Sequence, residues 1–211
     1  MRKDERLSLL YNEYKCTFPG KEYVFGCGCT SPKLLLIGEA PGREEVKFSR
    51  PFSGAAGKWL DSFLQLAGIN RKDIYITNAI KYRLSKENPK TGRLSNRPAA
   101  REEIISSRPY LLDEIGIICP CCIVTLGNVP LRAVTGNHRL NIGECHGTPS
   151  KVKIKERDYL LFPLYHPASV IYNRDLVQTY ESDVRGLVTL LKAVKGHSSA
   201  GRIPSGLRSV P

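Results

Sequence analysis

No run of apolar residues in this 211-residue sequence is long enough to span a bilayer, which excludes a membrane-spanning helix. The opening Met1-Arg2-Lys3-Asp4-Glu5 lacks the apolar stretch of a secretory signal, so a cytoplasmic protein is expected. Acidic residues are few, 20 against 32 lysines and arginines, and the formal charge of +12 calls for a polyanionic partner. Nucleic acid is the first candidate and an acidic membrane surface the second. Cysteine comes in an odd number, seven. In a reducing cytosol these are free thiols or metal ligands, not a disulfide framework. There is no internal repeat. No lysine followed by Ser or Thr closes the glycine-rich turn at 38–42, so that turn is not a nucleotide P-loop.

What is present is a chain long enough for one substantial core. Leu34-Leu35-Leu36-Ile37 reads as a buried parallel strand, and Gly38, Pro41 and Gly42 turn the chain sharply where it ends. Ala56, Trp59, Leu60, Phe63, Leu64 and Ala67 then follow the helical spacing, with Gly68 as the stop. Further strands are predicted at 73–80, 123–126 and 159–165. Helices are predicted from a cap at Asn96 through Ile115, with a kink at Pro109, from a cap at Asn128 to Gly136, and over 177–191. Residues 81–97 read as a long charged loop, and 137–158 as a hairpin or loop. Strands alternating with helices predict a doubly wound α/β fold on a mainly parallel, four-stranded sheet. Residues 1–195 form one domain in this reading, and the basic, Gly/Ser/Pro-rich tail 196–211 is expected to be disordered.

Three strand ends carry polar side chains, Glu39, Asn78 and His166. Carboxyl ends of parallel strands share one edge of the sheet, where open α/β folds place their ligands. A carboxylate, an amide and an imidazole can therefore converge there.

Gly38-Glu39-Ala40-Pro41-Gly42, Arg50-Pro51-Phe52, Thr77-Asn78-Ala79-Ile80-Lys81 and His166-Pro167-Ala168-Ser169, in this order and spacing, resemble the signature segments of the uracil-DNA glycosylase superfamily. They are most similar to its family 4 branch of bacteria and archaea. The resemblance runs from about residue 30 to 193 and implies a three-layer sandwich that flips a uracil out of DNA into a pocket. Phe52 would stack on the base, with Gly38 and Ala40 beside it. Asn78 would accept from N3–H and donate to O4, a pairing that cytosine cannot reproduce. His166 would donate to the developing oxyanion at O2, and Glu39 would position the attacking water. Val170 and Ile171 would wedge into the gap left in the duplex. Some relatives exclude thymine with a tyrosine after the turn proline. Gly42 stands there in this chain, which leaves Glu44 or Glu45 as candidates.

The implied partner is uracil-containing DNA, single- or double-stranded, bound by a monomer at the prokaryotic nucleoid, and the implied reaction needs no metal or organic cofactor. Typical family 4 members nonetheless hold a [4Fe–4S] cluster on four cysteines. The N-terminal thiols here, Cys16, Cys27 and Cys29, lack Cys-x-x-Cys spacing, Tyr82 stands at the third ligand position, and residues 83–118 contain no cysteine. Aromatic packing of Phe18, Tyr23, Phe25 and Tyr82 is expected in the cluster's place. Two rivals remain: a DNA-binding relative that has lost catalysis, and a hydrolase built on Cys145 or another thiol with a histidine such as His146.

Overall fold

The computed structural model describes residues 1–195 and 207–210. The chain opens with α1 (Lys3–Thr17), longer than the short helix expected, and a two-residue strand β1 (Cys27–Gly28). There follow β2 (Leu34–Gly38), α2 (Arg43–Phe48), α3 (Ala55–Leu66), β3 (Tyr75–Asn78), the hairpin strands β4 (Ser85–Glu87) and β5 (Leu94–Asn96), and α4 (Arg101–Ile118). The second half runs β6 (Cys122–Leu126), α5 (Asn128–Thr135), α6 (Ile142–Cys145), β7 (Ser150–Ile154), β8 (Arg157–Leu164), α7 (Pro167–Tyr172) and α8 (Leu176–Lys195).

The main sheet has six strands in the order β1-β3-β2-β6-β8-β7. The inner four are parallel, as expected, and β1 and β7 add antiparallel edges. The two edges escaped the sequence reading for different reasons: β1 is too short to show a period, and β7 is half of the hairpin left open for 137–158. The inner strands are apolar throughout because both faces are covered. Side chains alternate between them: Leu35 and Ile37 pack with α1, α4 and α5, whereas Leu34 and Leu36 pack with α3 and α8. This is a three-layer sandwich.

One other reading changes. Asn96 is not a helix cap: it ends β5, and α4 begins at Arg101, where the Glu103 carboxylate accepts from the Ala100 N–H. Pro109 lies inside the continuous helix α4. The expected tail, 196–211, falls outside the described residues except for 207–210, which run beside β7 through Lys151 N–H to Arg208 O and Val210 N–H to Lys151 O.

Candidate active site at the carboxyl edge of the sheet

Because β2, β3 and β8 are parallel, Glu39, Asn78 and His166 all leave the sheet at one edge. A cavity of about 430 Å³ opens there, lined among others by Ala40, Glu45, Phe52, Asn78, Asn96 and His166. That size is ordinary for a small-molecule site. A second cavity of about 460 Å³ lies against α1 and α4, lined by Leu9, Leu10, Asp113 and Lys155, away from every strand end named above.

The Phe52 ring forms one wall. Its backbone is held in the left-handed region (φ 53°), an uncommon conformation for a bulky residue. Arg71 fixes it from behind, with Nη2 donating to the carbonyls of Pro51 (2.7 Å) and Phe52 (3.1 Å). Gly57 makes room, since a Cβ there would collide with the Phe52 carbonyl. Gly38 does the same within the cavity: its Cβ would strike Asn78 Oδ1 and lie 2.7 Å from Phe52 Cζ. Only glycine at 38 lets the ring and the amide share one corner.

Asn78 is buried, yet no hydrogen bond within the described residues engages its side-chain amide. A buried amide left open towards a cavity is ready for a ligand, because leaving it unpaired costs roughly 1–3 kcal/mol. His166 stands at the N-terminus of α7, and its Nδ1 accepts from Ala168 N–H at 3.1 Å. A neutral imidazole accepting at Nδ1 carries its proton on Nε2, so the ring is a donor. Burial pushes its pKa down to about 4, against a partial upward pull from the Glu45 carboxylate. The ring lies near-parallel to Phe52, with centroids 5.8 Å apart. Glu39 does not line the cavity. Its Oε1 accepts from Ala99 N–H at 2.9 Å, at the approach to α4, which leaves Oε2 without a protein partner among the described residues.

Glu45 braces the mouth, its two carboxylate oxygens accepting from Gly42 N–H (3.1 Å) and Gly54 N–H (3.0 Å). A Cβ on Gly42 would sit 2.8 Å from Glu45 Oε2 and 3.0 Å from Asn96 Nδ2. These two side chains thus occupy the space into which a residue at 42 would project. Asn96 was missed in the sequence because Pro98 made it look like a cap. Of the two expected wedge residues, Val170, with Pro167 one turn before it, faces inward and is fully buried in the core. Ile171 and Tyr172 are exposed at the rim of the cavity.

Behind the site, Lys81 and Glu114 form a fully buried ion pair (2.5 Å). The ammonium also donates to Thr77 Oγ1 and to the Asn78 carbonyl, and Glu114 accepts from Tyr11 and Thr77. Burial draws the Lys81 pKa down, and the Glu114 charge opposes that. The rival nucleophile is not poised: burial raises the Cys145 pKa, its thiol donates to Asn141 O, and His146 is engaged by Asp183.

Comparison with known proteins agrees with this geometry. The family profile of the uracil DNA glycosylase superfamily matches residues 25–185. A type-4 uracil-DNA glycosylase of Sulfurisphaera tokodaii is 36% identical over 77% of this chain and 71% of its own length. Its counterpart from Archaeoglobus fulgidus is 34% identical over 77% and 79%. That of Thermotoga maritima is 34% identical over 72% of each chain. With a matched profile across most of the domain and relatives of this identity, the chain belongs to the uracil-DNA glycosylase superfamily.

Proposed function

We propose that this chain hydrolyses the N-glycosidic bond of uracil in DNA and leaves an abasic site, the opening step of base-excision repair. The observation that carries the reading is the meeting of Phe52, an Asn78 amide without a partner among the described residues and the Nε2–H of His166 on one cavity. A flat aromatic wall takes any pyrimidine. Asn78 accepts from N3–H and donates to O4, and cytosine in that place leaves buried polar groups unmatched.

As the bond from N1 to C1′ breaks, positive charge grows on the sugar and negative charge on the uracil, much of it at O2. His166, neutral and aimed through Nε2–H, donates to that oxygen more strongly in the transition state than in the ground state. The free Oε2 of Glu39 orients the water whose oxygen joins C1′. Glu45, held by two backbone amides and flanked by Asn96, denies space to the methyl group of thymine; Glu44 has no such brace. Ile171, exposed at the rim, fills the gap in the duplex. The chain works as a monomer on chromosomal DNA in the cytoplasm, and among the described residues no helix is long and apolar enough to cross a membrane.

This reading includes no iron–sulfur cluster. Tyr82 is buried against Tyr14 and Phe18, and the Tyr11–Phe25 and Tyr23–Phe25 rings are stacked, so aromatic side chains fill the N-terminal flank. Among the described residues, no group of three or more His, Cys, Asp or Glu side chains is placed to hold a metal. In this reading Tyr82 and the rings around it take the place of the cluster.

Incubation with oligonucleotides carrying one uracil, single-stranded and duplex, followed by alkali, tests the assignment. Strand scission at the uracil supports it. Binding without scission would favour the inactive relative.

A further inference from the structure

The hairpin β4–β5 forms a sheet of its own and is anchored only at its base among the described residues. Among the described residues its strands pair only with each other, Ser85 with Asn96, Lys86 with Ser95 and Glu87 with Leu94. Every residue from 86 to 96 is exposed. A two-stranded ribbon without a buried face is marginal in water unless its turn is stiff. This turn is stiff. Asn88 Oδ1 accepts from Lys90 N–H (2.9 Å) and Thr91 N–H (3.3 Å), Gly92 N–H donates to Asn88 O (2.8 Å), and Gly92 takes the left-handed conformation that closes it (φ 64°). The base is tied down as well: Arg83 Nε donates to Asn96 Oδ1 (3.2 Å), and Asn96 lines the cavity. The ribbon thus rises from the rim of the proposed uracil pocket.

It carries three cations against one carboxylate, Glu87, which pairs across from Leu94 and so lies on the face opposite to Lys86. Lys86, Lys90 and Arg93 form no ion pair among the described residues, in contrast to Arg83 and Arg97 at its foot, which face Glu22 and Glu103. Lys86 and Arg93 lie on the same face, opposite to that of Leu94 and Asn96, because side chains alternate along each strand. An exposed ribbon with three unpaired cations, joined to a pocket for a flipped base, has the charge and the position of a backbone clamp.

We infer that the β4–β5 ribbon binds the DNA phosphate backbone beside the flipped nucleotide, through Lys86, Lys90 and Arg93. This rests on the uracil-DNA reading above. The ribbon sets affinity and register, and the chemistry at His166 does not depend on it.

The test is the triple variant Lys86→Ser, Lys90→Ser, Arg93→Ser, compared with the parent and with a control lacking three cations elsewhere, Lys151→Ser, Lys153→Ser, Lys192→Ser. Binding to a labelled uracil oligonucleotide is followed across a salt series, and excision is followed in single turnover at saturating protein. Each phosphate that is no longer neutralised should flatten the slope of log K against log salt by about 0.7–0.9. The triple variant should therefore lose about two to three units of slope and bind at least about tenfold more weakly at low salt, where unscreened cations attract phosphate most strongly. Saturated excision should stay within about twofold of the parent, since an interaction held equally in ground and transition states does not alter the chemical step. An unchanged slope, or an equal loss in the control, would overturn the inference, and the ribbon would then serve some other partner. If the parent itself releases no uracil, the underlying assignment fails instead, and the two outcomes are distinct.

Discussion

Lys81→Met should be the most damaging single change behind the site. The lysine is fully buried, and its three donors go to Glu114, Thr77 Oγ1 and the Asn78 carbonyl. Methionine nearly matches the volume but leaves the Glu114 carboxylate charged in a dry interior. Breaking a buried ion pair from one side costs about 3–5 kcal/mol. A domain of this size holds about 5–15 kcal/mol in total, so the variant should still fold with a narrow margin. At about 2–4 °C per kcal/mol, its melting temperature should fall by roughly 10 °C. Urea titration should show the same loss as a lower midpoint at constant slope. Adding Glu114→Gln removes the stranded charge while keeping an acceptor for Tyr11 and Thr77, and should recover more than half of the loss. Excision by that double variant should remain depressed, because the Asn78 carbonyl still lacks its ammonium. A loss below about 1 kcal/mol for Lys81→Met, where an exposed pair would fall, or no recovery in the double variant, would refute the reasoning.

Because His166 stays neutral down to about 4, kcat/KM should be flat from pH 8 to about 5 and fall only near that value; a break near 6.5, where a free imidazole titrates, would show a solvated ring. Between those two values the unfolded chain binds a proton that the folded one does not, so stability should decline as the pH drops through this window. Asn78→Asp should slow uracil excision and narrow the margin over cytosine, since a carboxylate repels O4 while a protonated one can pair with cytosine; parent-like rates with uracil would remove Asn78 as the base reader. Protein purified without oxygen should be colourless and contain no stoichiometric iron, and a brown preparation with about four irons per chain would contradict the fit of the N-terminal flank.

The strands at 34–38, 75–78, 122–126 and 157–164 were legible because a strand covered on both faces must be apolar along its length. Their polar ends then stood out as Glu39, Asn78 and His166. The hairpin was not legible, because a ribbon that buries neither face leaves no period in the sequence. Val170 was readable in principle: Pro167 and Val170 are three apart, the inward spacing of one helical turn, which leaves Ile171 and Tyr172 outside. The Lys81–Glu114 pair joins β3's end to α4 across 33 positions, and no local pattern announces a partner at that distance.

The left-handed Phe52, with Arg71 behind it and Gly57 beneath, has a consequence for timing. The wall against which a base would lie is held by contacts within the protein itself, and the conformational strain of roughly 1–3 kcal/mol is borne by folding. A base rotating out of the helix would therefore meet a finished slot, with no loop to order around it. Rejection should then be quick, since an ill-fitting base finds nothing that rearranges to accommodate it. The same readiness should hold the released base: free uracil would fit the slot as well as the flipped nucleotide does, and its departure could govern how soon the next site is read.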